Sequence, residues 1–138
     1  RAVAQYKKIL LREPDFLPAL GSLAFILSTC PDDRIRDGTR ALELAGRAAR
    51  ITPDNPNVLL LEGFALAEQR KFAEAIGVTR KAIAATERLL GAGRDVPMRD
   101  AGRSTAAVMA RLRACLEGYE RSQPFRAAPR EQAALTVP

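Results

Sequence analysis

The chain has 138 residues, of which 47% are hydrophobic, and a net charge of +6 from 22 basic and 16 acidic side chains. This length suits a single domain with a core of its own. Because the sequence contains no histidine, a Ser-His-Asp or Cys-His catalytic site and a histidine-containing zinc site are excluded. The basic residues are spread along the sequence rather than gathered in one stripe, which argues against nucleic-acid binding.

The composition also bears on fold class and compartment. Ala, Leu and Arg are abundant and lose little freedom in a helix, whereas strand-forming runs of Val, Ile and Thr are absent. The longest uncharged run, from Phe16 to Cys30, is shorter than the stretch that a helix needs to span a bilayer. Cys30 and Cys115 are too few and too far apart for a disulfide framework or a zinc motif. We therefore expect an all-α cytoplasmic protein that binds no cofactor, metal or membrane.

Apolar spacing and capping residues predict six helices. In chain order they cover roughly residues 1–13, 16–29, 38–51, 56–70, 72–90 and 96–122. Asp15, Asp37 and Asn55 stand where they can cap the second, third and fourth of these helices. Three prolines lie beyond residue 123 and prevent a regular helix, so residues 123–138 are expected to form a loose tail with Phe125 as its candidate anchor.

A fixed period runs through much of the sequence. The segment 41–48, which has alanine at both ends, recurs one period later as the segment 75–82. The apolar pattern that begins at Leu20 recurs from Leu59, which is the same period with a short extension. Such a period indicates an array of helix pairs, in which each pair buries its apolar face on the next.

In type and spacing, the recurring residues resemble the tetratricopeptide repeat, a helix-turn-helix unit of about 34 residues. They are Ala2, Tyr6, Pro14, Leu20, Leu23, Ala24, Leu27, Ala41, Ala48, Pro53, Leu59, Gly63, Leu66, Ala75 and Ala82. The resemblance implies a right-handed superhelix of antiparallel helix pairs, a TPR-like α-solenoid. A domain over residues 1–122 would then contain a partial repeat (1–15), two repeats (16–55 and 56–91) and a long C-terminal capping helix (96–122).

The sequence departs from the family pattern in three ways. Glu62 stands where the family prefers leucine, Thr79 stands where an aromatic residue is common, and the repeat over residues 56–91 lacks its closing proline. A slight rotation of its helix is expected to expose Glu62. The stretch from Ser28 to Ala41 and the ending from Tyr119 to Arg126 also look like the last repeats of large bacterial multidomain proteins.

In arrays that resemble this one, the first helix of each pair lines a concave groove that holds extended or helical peptides. The groove residues that this implies are Phe25, Thr29, Leu60, Phe64, Glu68, Arg99 and Arg103. Two aromatic rings beside two arginines suit a protein or peptide ligand with an apolar anchor and an acidic group. The alternative is that the sixth helix folds over the groove and itself buries Phe25 and Phe64.

We therefore expect a protein-interaction scaffold rather than an enzyme. The alternative is a regulatory or substrate-presenting appendage of an enzyme encoded upstream. The predicted helix over residues 1–13 resembles the second helix of a family repeat, and the first helix of that repeat is missing. The apolar face of the helix over residues 1–13, which contains Val3, Tyr6 and Leu10, is expected to pair with a second copy in the isolated chain.

Overall fold

The computed structural model describes residues 2–92 and 105–127, and in these residues the chain forms α-helices and no strands. The helices are α1 (Ala2–Arg12), α2 (Leu17–Thr29), α3 (Gly38–Ile51), α4 (Pro56–Glu68), α5 (Phe72–Gly91) and α6 (Thr105–Glu120). The prediction of an all-α protein is thereby confirmed. The start of the predicted sixth helix, 96–104, lies outside the described residues.

Local capping fixes where two of the helices begin. The side chain of Asp37 accepts a hydrogen bond from the Arg40 N–H at 3.1 Å at the start of α3. That of Asn55 accepts one from the Asn57 N–H at 3.0 Å at the start of α4, as predicted. The prediction that Asp15 caps α2 is wrong. Phe16 holds that position without a side-chain hydrogen bond, and a proline in the first turn sets the backbone instead.

The two inner helices, α2 and α4, are buried on nearly every side. Ten of the 13 residues of α2 and 11 of the 13 residues of α4 are buried. Each helix packs against the next along the chain, and α2 also packs against α4. By contrast, α6 packs mainly along α5 and only slightly against α4. One face of the α2–α4 pair is therefore covered by α3 and α5, and the other face needs cover from elsewhere.

Small residues stand where the helices approach one another most closely. Five alanines in α3 and α5 are 0% exposed; they are Ala41, Ala45, Ala48, Ala75 and Ala82. Gly63 in α4 is equally constrained, because a Cβ atom there would lie 3.1 Å from Thr79 Oγ1 and 3.5 Å from the hydroxyl oxygen of Tyr119. An aromatic residue in place of the fully buried Thr79 would therefore collide with α4.

Two further side chains bear on the sequence predictions. Glu62 is partly buried, and burial raises the pKa of its carboxyl group, although Lys81 partly counters this. Tyr6 and Leu10, which belong to the face predicted to pair with a second copy, are each 9% exposed and lie in the core of the same chain. The large apolar side chain that α1 leaves in solvent is Leu11, 84% exposed.

Enlarging a contact alanine is expected to destabilise the chain. We expect Ala48→Leu to lower the free energy of unfolding by about 1–3 kcal/mol, because a fully buried alanine leaves no room for a larger side chain. Urea denaturation followed by circular dichroism measures this change. The control is Ala73→Leu on the exposed face of α5, which should shift the free energy by less than about 0.5 kcal/mol. Equal effects of the two substitutions would contradict the close packing described here.

Candidate functional site

Three of the predicted groove residues contact the same short segment of the chain, residues 124–127, which follows α6 without regular secondary structure. They are Thr29 on α2 and Phe64 and Glu68 on α4. Phe25, also on α2, contacts the Phe64 ring. Of the other predicted groove residues, Leu60 is buried in the core at 4% exposure, and Arg99 and Arg103 lie outside the described residues.

The end of α6 turns the chain back toward the groove. Ser122 has the left-handed φ of 58°. The Ser122 N–H donates to the Tyr119 carbonyl at 2.9 Å, and the Gln123 N–H donates to the Gly118 carbonyl at 2.9 Å. These two bonds form a Schellman motif, which ends a helix and reverses the chain, and a proline follows as it often does after this motif.

Three aromatic rings form the apolar part of the site. The Phe25 and Phe64 rings are 5.7 Å apart between centroids and meet edge to face. The Phe125 ring stacks on Phe64 at 4.7 Å with an angle of 18° between the planes. The guanidinium carbon of Arg111, on α6, lies 5.1 Å from the centroid of Phe125 and 5.9 Å from that of Phe25. Aromatic pairs of this kind contribute about 0.5–1.5 kcal/mol each beyond the area they bury.

Two polar contacts fix the segment beyond its aromatic ring. The Ala127 N–H donates to the carbonyl of Thr29 at 3.0 Å. Thr29 is the last residue of α2, and the last carbonyls of a helix lack partners within it. The Arg126 guanidinium forms an ion pair with Glu68 Oε1 at 2.9 Å. An aromatic ring, a main-chain hydrogen bond and an ion pair therefore hold three consecutive residues.

Glu68 is held in place from its other side by Arg36, which lies in the connection between α2 and α3. Arg36 Nε lies 3.0 Å from Glu68 Oε2, and its Nη1 donates to the Cys30 carbonyl at 2.6 Å. It also pairs with Asp33. Burial alone would lower the pKa of Arg36, but its bonds to Glu68 and Asp33 outweigh burial and raise it. The two oxygens of Glu68 therefore face different arginines.

The sequence alone leaves open whether the groove is free or covered by the last helix. In the structure, the Phe25 and Phe64 rings are 5% and 1% exposed. Arg111 of α6 lies over the Phe25 ring, and Phe125 of the following segment stacks on the Phe64 ring. The sequence predicts Phe125 as an anchor, because it is an aromatic residue among the prolines of the tail. It does not predict that Phe125 lies in the groove, and it does not predict the roles of Arg36, Arg111 and Arg126.

No protein-family model matches the chain, and comparisons with curated proteins and with solved structures gave no match either. Across residues 2–92 and 105–127, His, Cys, Asp and Glu side chains form no group of three or more that could hold a metal ion. In that same part of the chain, no helix has the length and apolar character needed to cross a membrane. Function is therefore inferred from the groove itself.

Loss of the Phe125 ring should destabilise the chain moderately. We expect Phe125→Ala to lower the free energy of unfolding by about 1–2 kcal/mol, less than the loss typical of a fully buried phenylalanine, because Phe125 is only partly buried. Denaturant titration measures the change. The matched control is Leu11→Ala, at a side chain that is 84% exposed, with an expected change below about 0.5 kcal/mol. An unchanged midpoint for Phe125→Ala would show that the ring is not seated as described.

Proposed function

We propose that this chain is a protein-interaction scaffold that holds an extended peptide segment in the groove between α2, α4 and α6. The observation that carries the proposal is the seating of residues 124–127 in this groove. A segment with no regular secondary structure is held there through one ring, one main-chain hydrogen bond and one ion pair. Grooves that recognise peptides use the same combination of a main-chain contact and side-chain pockets.

The proposed architecture is a TPR-like α-solenoid, a right-handed superhelix of antiparallel helix pairs with α6 in its capping helix. The packing of each helix on the next and of α2 on α4 supports it. So does the burial of alanines that recur one period apart, Ala41 with Ala75 and Ala48 with Ala82. In such an array, α2 and α4 are first helices of their pairs and line the concave side.

The chemistry of the groove favours binding over catalysis. Its described side chains are aromatic rings, arginines and the carboxylate of Glu68, whose oxygens are both engaged by arginines. A general base must lie within hydrogen-bond reach of the group that it deprotonates, and the charged groups that the structure places beside Glu68 are the two arginines. Rings and fixed charges are instead the groups that dominate binding energy at protein interfaces.

The test is binding of a peptide to a groove that has been emptied. The open variant is the full chain with Phe125→Ala and Arg126→Ala, and the probe is an amidated peptide with the sequence of residues 121–130. We expect the probe to cause saturable shifts of the Thr29, Phe64 and Glu68 amides in ¹H–¹⁵N NMR spectra of the open variant. Apparent binding to the wild-type chain should be roughly tenfold weaker, because the tethered segment competes at millimolar effective concentration.

The control probe is the same peptide with Phe125→Ala, which should cause no saturable shift. An open variant whose groove amides do not respond to the parent peptide would overturn the proposal. So would shifts confined to residues outside α2, α4 and α6.

A further inference from the structure

We infer that the groove selects a protein segment in which an aromatic residue is followed directly by arginine and then by a residue other than proline. This inference rests on the proposed function and names the ligand of the same groove. It differs from the acidic ligand that the sequence alone predicts. Residues 125–127 of the chain itself carry this pattern and act as an internal ligand.

The aromatic position is shaped for a flat ring. One face of the Phe125 ring stacks on Phe64 at 4.7 Å, and the Arg111 guanidinium lies 5.1 Å from its centroid. Phe25 closes the site by meeting Phe64 edge to face. A planar ring gains both the stacking and the cation–π contact, whereas an aliphatic side chain of similar size gains neither.

The residue that follows the aromatic one carries a charge, and Glu68 determines the sign of that charge. The Glu68 side chain is only 17% exposed, and its partner Arg126 is 33% exposed, so water screens this pair less than a surface pair. Arg36 holds the other carboxylate oxygen at 3.0 Å and thereby aims Oε1 at the occupant. The Glu68 carboxylate therefore attracts a basic side chain at this position and repels an acidic one.

The third position is set by the main chain. The Thr29 carbonyl accepts the N–H of Ala127 at 3.0 Å, which fixes the register of the segment relative to α2. Proline cannot donate this bond. Ala127 itself is 3% exposed, so the N–H of a residue at this position is removed from water and needs the Thr29 carbonyl.

A partner segment has to compete with the internal ligand for the groove. Residues 121–123 alone join it to α6, so its effective concentration at the groove is high. Its packing is incomplete, because a cleft of about 180 Å³ lies beside it, lined by Cys115, Tyr119, Pro124, Phe125 and Arg126 among others. A partner segment with the same pattern and further contacts of its own can displace it.

The test measures the preference of the open variant for arginine in the second position. Four peptides with the sequence of residues 121–130 are compared by NMR titration: the parent peptide and its Arg126→Lys, Arg126→Ala and Arg126→Glu forms. We expect Arg126→Ala to weaken binding roughly fivefold, as a partly buried ion pair implies. Arg126→Glu should weaken it more than Arg126→Ala, and Arg126→Lys less, because lysine keeps the charge without the planar fork of arginine.

Glu68→Gln in the open variant should bring the ratio of affinities for the parent and Arg126→Ala peptides close to one. The matched control is Glu74→Gln, which removes a carboxylate from the exposed first turn of α5 and should leave the ratio unchanged. If the Glu68→Gln variant fails to fold, binding of the four peptides to the open variant with Glu68 in place still tests the preference for arginine.

Equal binding of the parent and Arg126→Ala peptides would overturn this inference and leave the proposed function standing. Tighter binding of the Arg126→Glu peptide would assign an acidic ligand instead. Binding by none of the peptides would overturn both. If the wild-type chain sediments as a dimer and the open variant does not, a second copy of the chain binds at the groove. That result would also overturn the inference.

Discussion

The structure depends on one constraint, which is that α2 and α4 are apolar on nearly all sides and must be covered on two faces. In a surface helix, one stripe is buried and the rest meets water, but here ten residues of α2 and 11 of α4 are buried. The outer helices α3 and α5 cover one face through fully buried alanines. The second face is covered by α6 and by residues 124–127, where the Phe25 and Phe64 rings would otherwise meet solvent.

Much of this arrangement follows from local sequence signals. The helix bounds near Asp37 and Asn55 follow from capping, which involves neighbouring residues only. The burial of Ala41 and Ala48 in α3, and of Ala75 and Ala82 in α5, agrees with the recurrence of these alanines in the sequence. The sequence predicts that Phe25 and Phe64 line one groove, and their ring centroids are 5.7 Å apart.

Other features could not be predicted, because they depend on contacts between distant parts of the sequence. The prolines after residue 123 exclude a helix there but do not indicate what the segment packs on. The pairing of Arg126 with Glu68 has no local signature, and neither does that of Arg36 with Glu68, 32 residues apart in sequence. Asp15 does not cap α2, because the helix begins at Leu17 and Phe16 therefore takes the capping position.

The same contacts underlie the ligand proposed for the groove. The sequence predicts an acidic group on the ligand from Arg99 and Arg103, which lie outside the described residues. At the groove, however, the nearest carboxylate belongs to the protein, and the occupant supplies the arginine. The proposed preference for arginine therefore rests on the local arrangement of Arg36, Glu68 and the aromatic rings.

The most direct test of the occupied groove is a ¹³C-edited NOE spectrum of the wild-type chain, combined with hydrogen exchange of the Ala127 amide. The ring centroids of Phe125 and Phe64 lie 4.7 Å apart, so cross-peaks between their ring protons should be strong. The Ala127 amide, bound to the Thr29 carbonyl, should exchange more slowly than an amide in an unstructured chain. Missing cross-peaks together with unprotected exchange at Ala127 would contradict the occupied groove.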